Sequence, residues 1–212
     1  GVLAGGIAHD FNNQLTPIIL NLAYALDSPL DDETLERLTE AKRAADEASQ
    51  LTRQLLTFAK GGDPVVKTIQ LPALLRSSMN FALRGTAIRG ELAIDDGLWP
   101  VKVDGGQLSQ VIQNLVINGR QAMSDQGKIQ ITAENVYAIR HPSLPKIDGR
   151  YVHLSVTDAG IGMSPETMKK IFDPYFTTKV DGHGLGLAST LSIVRKHRGE
   201  LAVVSALGEG TT

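Results

Sequence analysis

The 212 residues contain no cysteine, which excludes disulfides and thiol chemistry and fits a reducing compartment. They also lack any apolar run near the roughly 20 residues that span a bilayer, and no signal-peptide pattern is present. An excess of one charge is missing too: 21 Lys and Arg stand against 23 Asp and Glu, a formal net charge of −2. No global basic field therefore recruits nucleic acid or an anionic membrane. There is no internal repeat, no low-complexity segment and no initiator methionine. Gly1 falls inside an apparent helix, so the expectation is an excised fragment whose missing targeting segments say little about its parent. What is present is ordinary for a soluble globular chain, 42% hydrophobic and 21% charged, enough for one large domain or two small ones.

The first stretch is helical. Leu3, Ile7, Phe11, Leu15, Ile18, Leu22 and Leu26 recur at steps of four and three, the stripe of an amphipathic helix in a bundle. Asp27-Ser28-Pro29 ends it, and Pro17 predicts a bend inside it. Asp31 or Asp32 can cap a second helix, whose face from Leu35, Leu38 and Ala41 to Leu55 and Phe58 runs to Gly61-Gly62. Two such helices make a hairpin with more apolar surface than they can cover. Pairing with a second copy into a four-helix bundle is the economical solution, so a homodimer is expected.

After Gly61-Gly62-Asp63-Pro64 the composition changes, which sets domains at 1–62 and 63–212. Strands are expected near 65–70, 91–94, 101–103, 128–137, 150–157 and 200–205, with helices near 71–83, 107–123, 165–171 and 185–197. Arg140 to Gly149, with two prolines, reads as an exposed loop. The mixture lacks regular βαβ alternation, so the fold class is α+β, with a two-layer α/β sandwich after the hairpin.

Four places could carry chemistry. His9 lies two residues from both Ile7 and Phe11, so it projects opposite the apolar stripe, beside Asp10 and in line with Asn13 and Thr16. A lone surface histidine is ordinarily just solvated. In the 107–123 helix, Leu108, Ile112, Leu115 and Ala122 form the expected buried stripe. Gln110, Asn114, Asn118 and Gln121 line the other side, with Asn114 and Asn118 one turn apart. Asparagine is a mediocre helix former; the pair is either a solvated face or a source of amide oxygen for a hard cation such as Mg²⁺. Asp158-Ala159-Gly160-Ile161-Gly162 follows a strand, a carboxylate and two glycines able to meet a flat ligand such as adenine, or a plain turn. Gly182 through Leu187 opens a helix whose free N–H groups suit phosphate, or is a flexible loop with a cap.

In this order the motifs resemble the catalytic core of a sensor histidine kinase of two-component signalling. Ala8 to Thr16 resembles its H box, Asn114 to Met123 its N box, Asp158 to Met163 its G1 box, Phe172 to Lys179 its F box and Gly182 to Leu187 its G2 box. Gly208-Glu209-Gly210-Thr211 resembles the final glycine motif. The resemblance covers nearly the whole chain.

It implies a dimerisation and histidine-phosphotransfer hairpin followed by an ATP-binding domain of the gyrase, Hsp90 and MutL type. His9 would be the phosphoacceptor, Asp10 its hydrogen-bonding partner, and Asn13 the amide that orients water if the fragment is also a phosphatase. ATP would meet Asn114, Asn118, Arg120, Asp158, Gly160, Gly162, Lys179, Gly182, Gly184, Leu185, Gly186, Leu187 and Thr211, with Asn118 holding Mg²⁺. A response-regulator receiver domain would accept the phosphoryl group and a sensor domain would precede the hairpin. The fragment would be cytoplasmic, with no nucleic-acid or membrane contact. The alternative is a catalytically weak dimeric scaffold that docks a receiver. Gly119, where the N box usually has alanine, weakens its helix by up to about 1 kcal/mol; His183 replaces a common threonine, Pro17 sits three residues later than the family proline, and Thr212 precedes the usual terminal strand.

Overall fold

The computed structural model describes the backbone of residues 2–60, 64–124, 126–141, 144–179, 182 and 184–212, and the side chains of these except 2–13, 46–47, 49–60 and 138–148. The chain divides into two compact units, Gly1–Gly62 and Asp63–Thr212.

The first unit is a helical hairpin of α1 (Val2–Leu26) and α2 (Asp32–Lys60). Pro17 lies inside α1 without ending the helix. Asp31 caps α2: its carboxylate accepts from the Thr34 N–H at 2.9 Å and the Thr34 hydroxyl at 2.7 Å, bonds that hold its pKa below the usual carboxylate value. Ile18, Leu20, Tyr24 and Leu35 stay exposed on this unit.

The second unit is a two-layer sandwich. Its elements are β1 (Lys67–Ile69), α3 (Leu71–Ala82), β2 (Arg89–Ile94), β3 (Val101–Val103), α4 (Gly105–Ala122), β4 (Lys128–His141) and β5 (Leu144–Asp158). They continue with α5 (Pro165–Met168), α6 (Gly186–Lys196), β6 (Ser205–Ala206) and β7 (Gly210–Thr211). The main sheet runs β2-β4-β5-β7-β6; only β2 and β4 are parallel, and β1 and β3 form a separate antiparallel pair.

The period of two along β4 shows why the sheet has one wet face. Ile129, Ile131 and Ala133 are buried and pack with Leu71, Leu75 and Met79 of α3 and Ile112 and Val116 of α4. Thr132 alternates with them and bonds its cross-strand partner Ser155 at 2.8 Å, while Glu134 bonds its partner His153 at 2.8 Å. The expected stripe of α4 is rotated: Val111 and Val116 join Ile112 in full burial, and Leu115 is only partly covered. A helix touching α3, α6 and the sheet is buried around most of its girth.

Three other expectations change. The described residues of the segment 140–149 are strand and not loop, because β4 runs on to His141 and β5 starts at Leu144, with Ala138 opposite Gly149 and His141 opposite Leu144. Pro145 falls inside β5, near a register shift between Ile139 and His141 of β4, where a strand tolerates it; Pro142 lies outside the described residues. The strand expected at 200–205 begins only at its far end, since backbone pairing starts where Val204 and Thr212 exchange bonds of 2.9 Å. The helix expected to reach Ile171 stops at Met168 and tightens into turns, with the Lys170 N–H on Thr167 O and the Asp173 N–H on Lys170 O. Among the described residues, no helix is long and apolar enough to cross a membrane.

Candidate nucleotide site

One end of the second unit collects the polar face of α4, the end of β5 and the start of α6. Asp104 fixes the first of these. Its side chain accepts from the N–H groups of Gly106 and Gln107 at 2.9 and 3.1 Å, and from the Val65 N–H at 3.0 Å. Its own N–H donates to Nε2 of His197 at 2.9 Å, which leaves Nδ1–H of that ring to donate to Ile193 O at 2.8 Å. The cap of α4 and the last turn of α6 are thereby joined.

The two asparagines of α4 then part company. Asn114 is buried, 7% exposed, and its Nδ2 donates to Gly186 O at 3.2 Å and Thr190 Oγ1 at 3.4 Å. It ties α4 to the first turn of α6. Asn118, one turn on, is partly open and accepts the Lys179 ammonium on Oδ1 at 3.1 Å. Gln121, on the same face, accepts that ammonium at 2.5 Å. Burial lowers the Lys179 pKa, and the charge of Asp158 opposes the shift. Gln121 is the residue that the sequence had not assigned a role; its place three positions after Asn118 was the available signal.

Asp158 ends β5 half-buried. Burial raises its pKa against the N–H groups of Gly160 and Thr211 and the charge of Lys179. Oδ1 takes the Gly160 N–H at 2.8 Å, and Thr211 lies opposite it in the sheet with its hydroxyl on Ser205 Oγ at 2.9 Å. Gly160 is buried against Ala122, and Gly162, at φ +64°, sits where a Cβ would overlap the Ala206 carbonyl.

The G2 stretch is held by its neighbour. Tyr175, at φ +68°, donates its N–H to Gly184 O at 2.9 Å, and a Cβ on Gly184 would strike the Tyr175 backbone. Leu185 is buried, and α6 starts at Gly186 without a side-chain cap. A Cβ on Gly186 would lie 3.9 Å from Asn114 Cγ and 4.0 Å from Asn118 Nδ2, so the positive end of α6, continuing through Leu187, borders both asparagines. Gly182 donates to Lys179 O at 3.3 Å; His183 lies outside the described residues.

One expected residue of this unit does not join this end. Arg120 turns toward α3, donating from Nη1 to Ala82 O at 3.3 Å, and lines a surface cavity with Arg84, Thr86 and Ser124. Two positions from Asn118 puts it on another side of α4. His9, Asp10 and Asn13 lie on α1 of the first unit, and their side chains are outside the described residues.

A helix start without a side-chain cap, beside an amide-lined face and a half-buried carboxylate, has the form of a nucleotide site. Residues 103–212 match the model of the histidine kinase-, DNA gyrase B- and HSP90-like ATPases. The chain belongs to this family. Residues 1–64 match the His Kinase A phospho-acceptor domain, and the two together make the chain a histidine kinase catalytic core. Among curated relatives, it is 38% identical over its full length to the sensor kinase CckA of Brucella abortus (strain 2308), covering 23% of that protein. It is 32% identical over its full length to the sensor histidine kinase ZraS of Escherichia coli (strain K12), covering 44%. The chain thus spans less than half of each. The crystal structure of full-length ShkA in complex with AMPPNP shares the fold, with a TM-score of 0.77 at 23% identity, over 99% of this chain and 44% of that one.

Proposed function

We propose that the chain is an ATP-dependent autokinase that phosphorylates His9 and passes the phosphoryl group to an aspartate of a response-regulator receiver domain. The observation that carries this is the convergence of Asn118, Asp158 and the α6 N-terminus at one end of an ATPase-family unit that follows a phospho-acceptor unit. Residues 1–62 serve dimerisation and phosphotransfer, and residues 63–212 bind ATP.

Asp158 reads the adenine amino group with Oδ2, since Oδ1 is engaged by Gly160. The first N–H groups of α6 meet the phosphates, and Gly160, Gly162, Gly184 and Gly186 leave room for close approach. Asn114 positions that helix start, and Thr211 steadies Asp158. The donor set fits Mg²⁺: Asn118 Oδ1 is a hard oxygen already facing a cationic group, the Lys179 ammonium. Mg²⁺ held there would neutralise charge on the transferring phosphoryl group.

The neutral His9 imidazole attacks the γ-phosphorus through the lone pair of Nε2. A P–N bond forms as the bond to the β–γ bridging oxygen breaks, and ADP leaves. Asp10 accepts from Nδ1–H, which fixes the tautomer and supports the positive charge that develops on the ring. A receiver carboxylate then displaces the histidine at phosphorus. Asn13, one turn along, orients water against the receiver's phosphoaspartate in a phosphatase mode. Exposed Ile18, Leu20, Tyr24 and Leu35 support pairing of the hairpin with a second copy. The sensor domain belongs to the remainder of a longer parent, and this part of it faces the cytoplasm, where ATP is available.

The test is incubation with γ-labelled ATP and Mg²⁺. Wild type should acquire acid-labile label and H9Q none, with ADP binding unchanged; label persisting on H9Q refutes the phosphoacceptor assignment.

A further inference from the structure

The ammonium of Lys179 makes two short bonds to amide oxygens, to Asn118 Oδ1 at 3.1 Å and to Gln121 Oε1 at 2.5 Å. These acceptors lie three residues apart on one face of α4, while Lys179 comes from a loop 58 residues beyond Gln121. The contact is made by side chains alone. Two neutral amide oxygens carry no charge to attract an ammonium; they satisfy one, as they would a hard cation. Asp158, whose charge reaches Lys179, supplies the electrostatic reason for a cation to rest at this end.

We propose that Asn118 and Gln121 form a cation seat in which the Lys179 ammonium stands in for Mg²⁺, giving the site a metal-free mode of nucleotide binding. Gln121 is the positioning residue of this seat. The inference rests on the nucleotide reading above and extends it. With no metal, Lys179 stays on the amides and offers the nucleotide phosphates one positive charge. With metal bound, Asn118 Oδ1 would turn to the divalent cation, which supplies the positive charge that the ammonium supplies without it. A lysine that only contacted phosphate would need neither amide.

The test is calorimetric titration of ADP into the 212-residue chain, once with Mg²⁺ and once with EDTA. The variants are K179M, which keeps an unbranched stem, and Q121L, at an exposed position. Wild type should bind ADP in EDTA. K179M should lose about tenfold or more in EDTA but distinctly less in Mg²⁺, the size expected of a lost charge-assisted bond. Q121L should weaken EDTA binding in the same sense by a smaller factor. Equal losses in both buffers would make Lys179 an ordinary phosphate contact and overturn the seat, as would unchanged EDTA affinity in either variant. Wild type binding no ADP in either buffer would instead refute the nucleotide reading itself. Thermal melts of all three proteins establish that each variant is folded.

Discussion

Two aspartates in the second unit do similar things with opposite electrostatic outcomes. Asp104 follows β3 and Asp158 ends β5, and both accept backbone N–H groups from residues just ahead of them. At Asp104, burial works against the charge, but the N–H groups of Gln107, Val65 and Gly106 outweigh it and hold the pKa below the usual value. At Asp158, burial wins over the N–H groups of Gly160 and Thr211 and over the charge of Lys179, so the pKa rises. A carboxylate whose oxygens are spent on backbone is a structural cap. One whose burial outweighs its backbone bonds is poised to accept from a ligand.

The largest expected effect breaks the ligand side of this comparison. D158N keeps an oxygen for Gly160 but presents an amide NH₂ where adenine needs an acceptor. ADP affinity should fall about 10- to 100-fold, the equivalent of about 1.5–3 kcal/mol for a hydrogen bond involving a charged group. Calorimetry checks it, and an unchanged dissociation constant ends the adenine role. Stability should move the other way. A carboxyl whose folded pKa is raised contributes stability present below its unfolded pKa and lost as pH rises through the folded one. Ligand-free D158N should therefore melt no lower than wild type at neutral pH, with its advantage shrinking toward acid.

D104A tests the structural side. Losing the α4 cap should cost about 1–2 kcal/mol, read as a lower urea midpoint at unchanged slope, with ADP affinity affected far less than by D158N. The pH dependence has the reverse sign. A depressed folded pKa gives stability present above the unfolded value and lost as pH falls through the folded one, so the gap between wild type and D104A should close in acid. D104N keeps a capping oxygen and should recover most of the loss without that pH dependence.

What the sequence showed of this contrast follows from range. The hairpin, the sandwich class and the glycine boxes rest on spacing within one or two turns, and there the periods of 3.6 and 2 are informative. Asp158 before its two glycines was legible for the same reason. The distinction between Asn114 and Asn118 was not, because it depends on Thr190 and Lys179, which lie 76 and 61 residues away. Gln121 looked like one more polar residue until Lys179 arrived beside it. Arg120 is a different kind of miss. Helical spacing already placed it off the face of Asn114, Asn118 and Gln121, and the box resemblance carried it into the ATP set regardless.

Gly119 gives the smallest expected effect and the finest probe of how Asp158 is set. It is buried on α4, and a Cβ there would lie 3.0 Å from Asp158 Cβ, 3.2 Å from its Oδ2 and 3.3 Å from Ile129 Cδ1. Glycine in a helix costs up to about 1 kcal/mol against alanine, and overpacking a core costs about 1–3 kcal/mol, so the two terms of G119A largely offset. The melting temperature should change little. The new methyl, however, crowds the oxygen left for adenine, while the bonds to Gly160 and Thr211 resist a shift of the carboxylate. ADP affinity should fall by a small factor, well short of D158N. If G119A leaves affinity unchanged while D158N lowers it, the carboxylate reads its ligand without depending on close approach to α4, and burial alone accounts for its raised pKa.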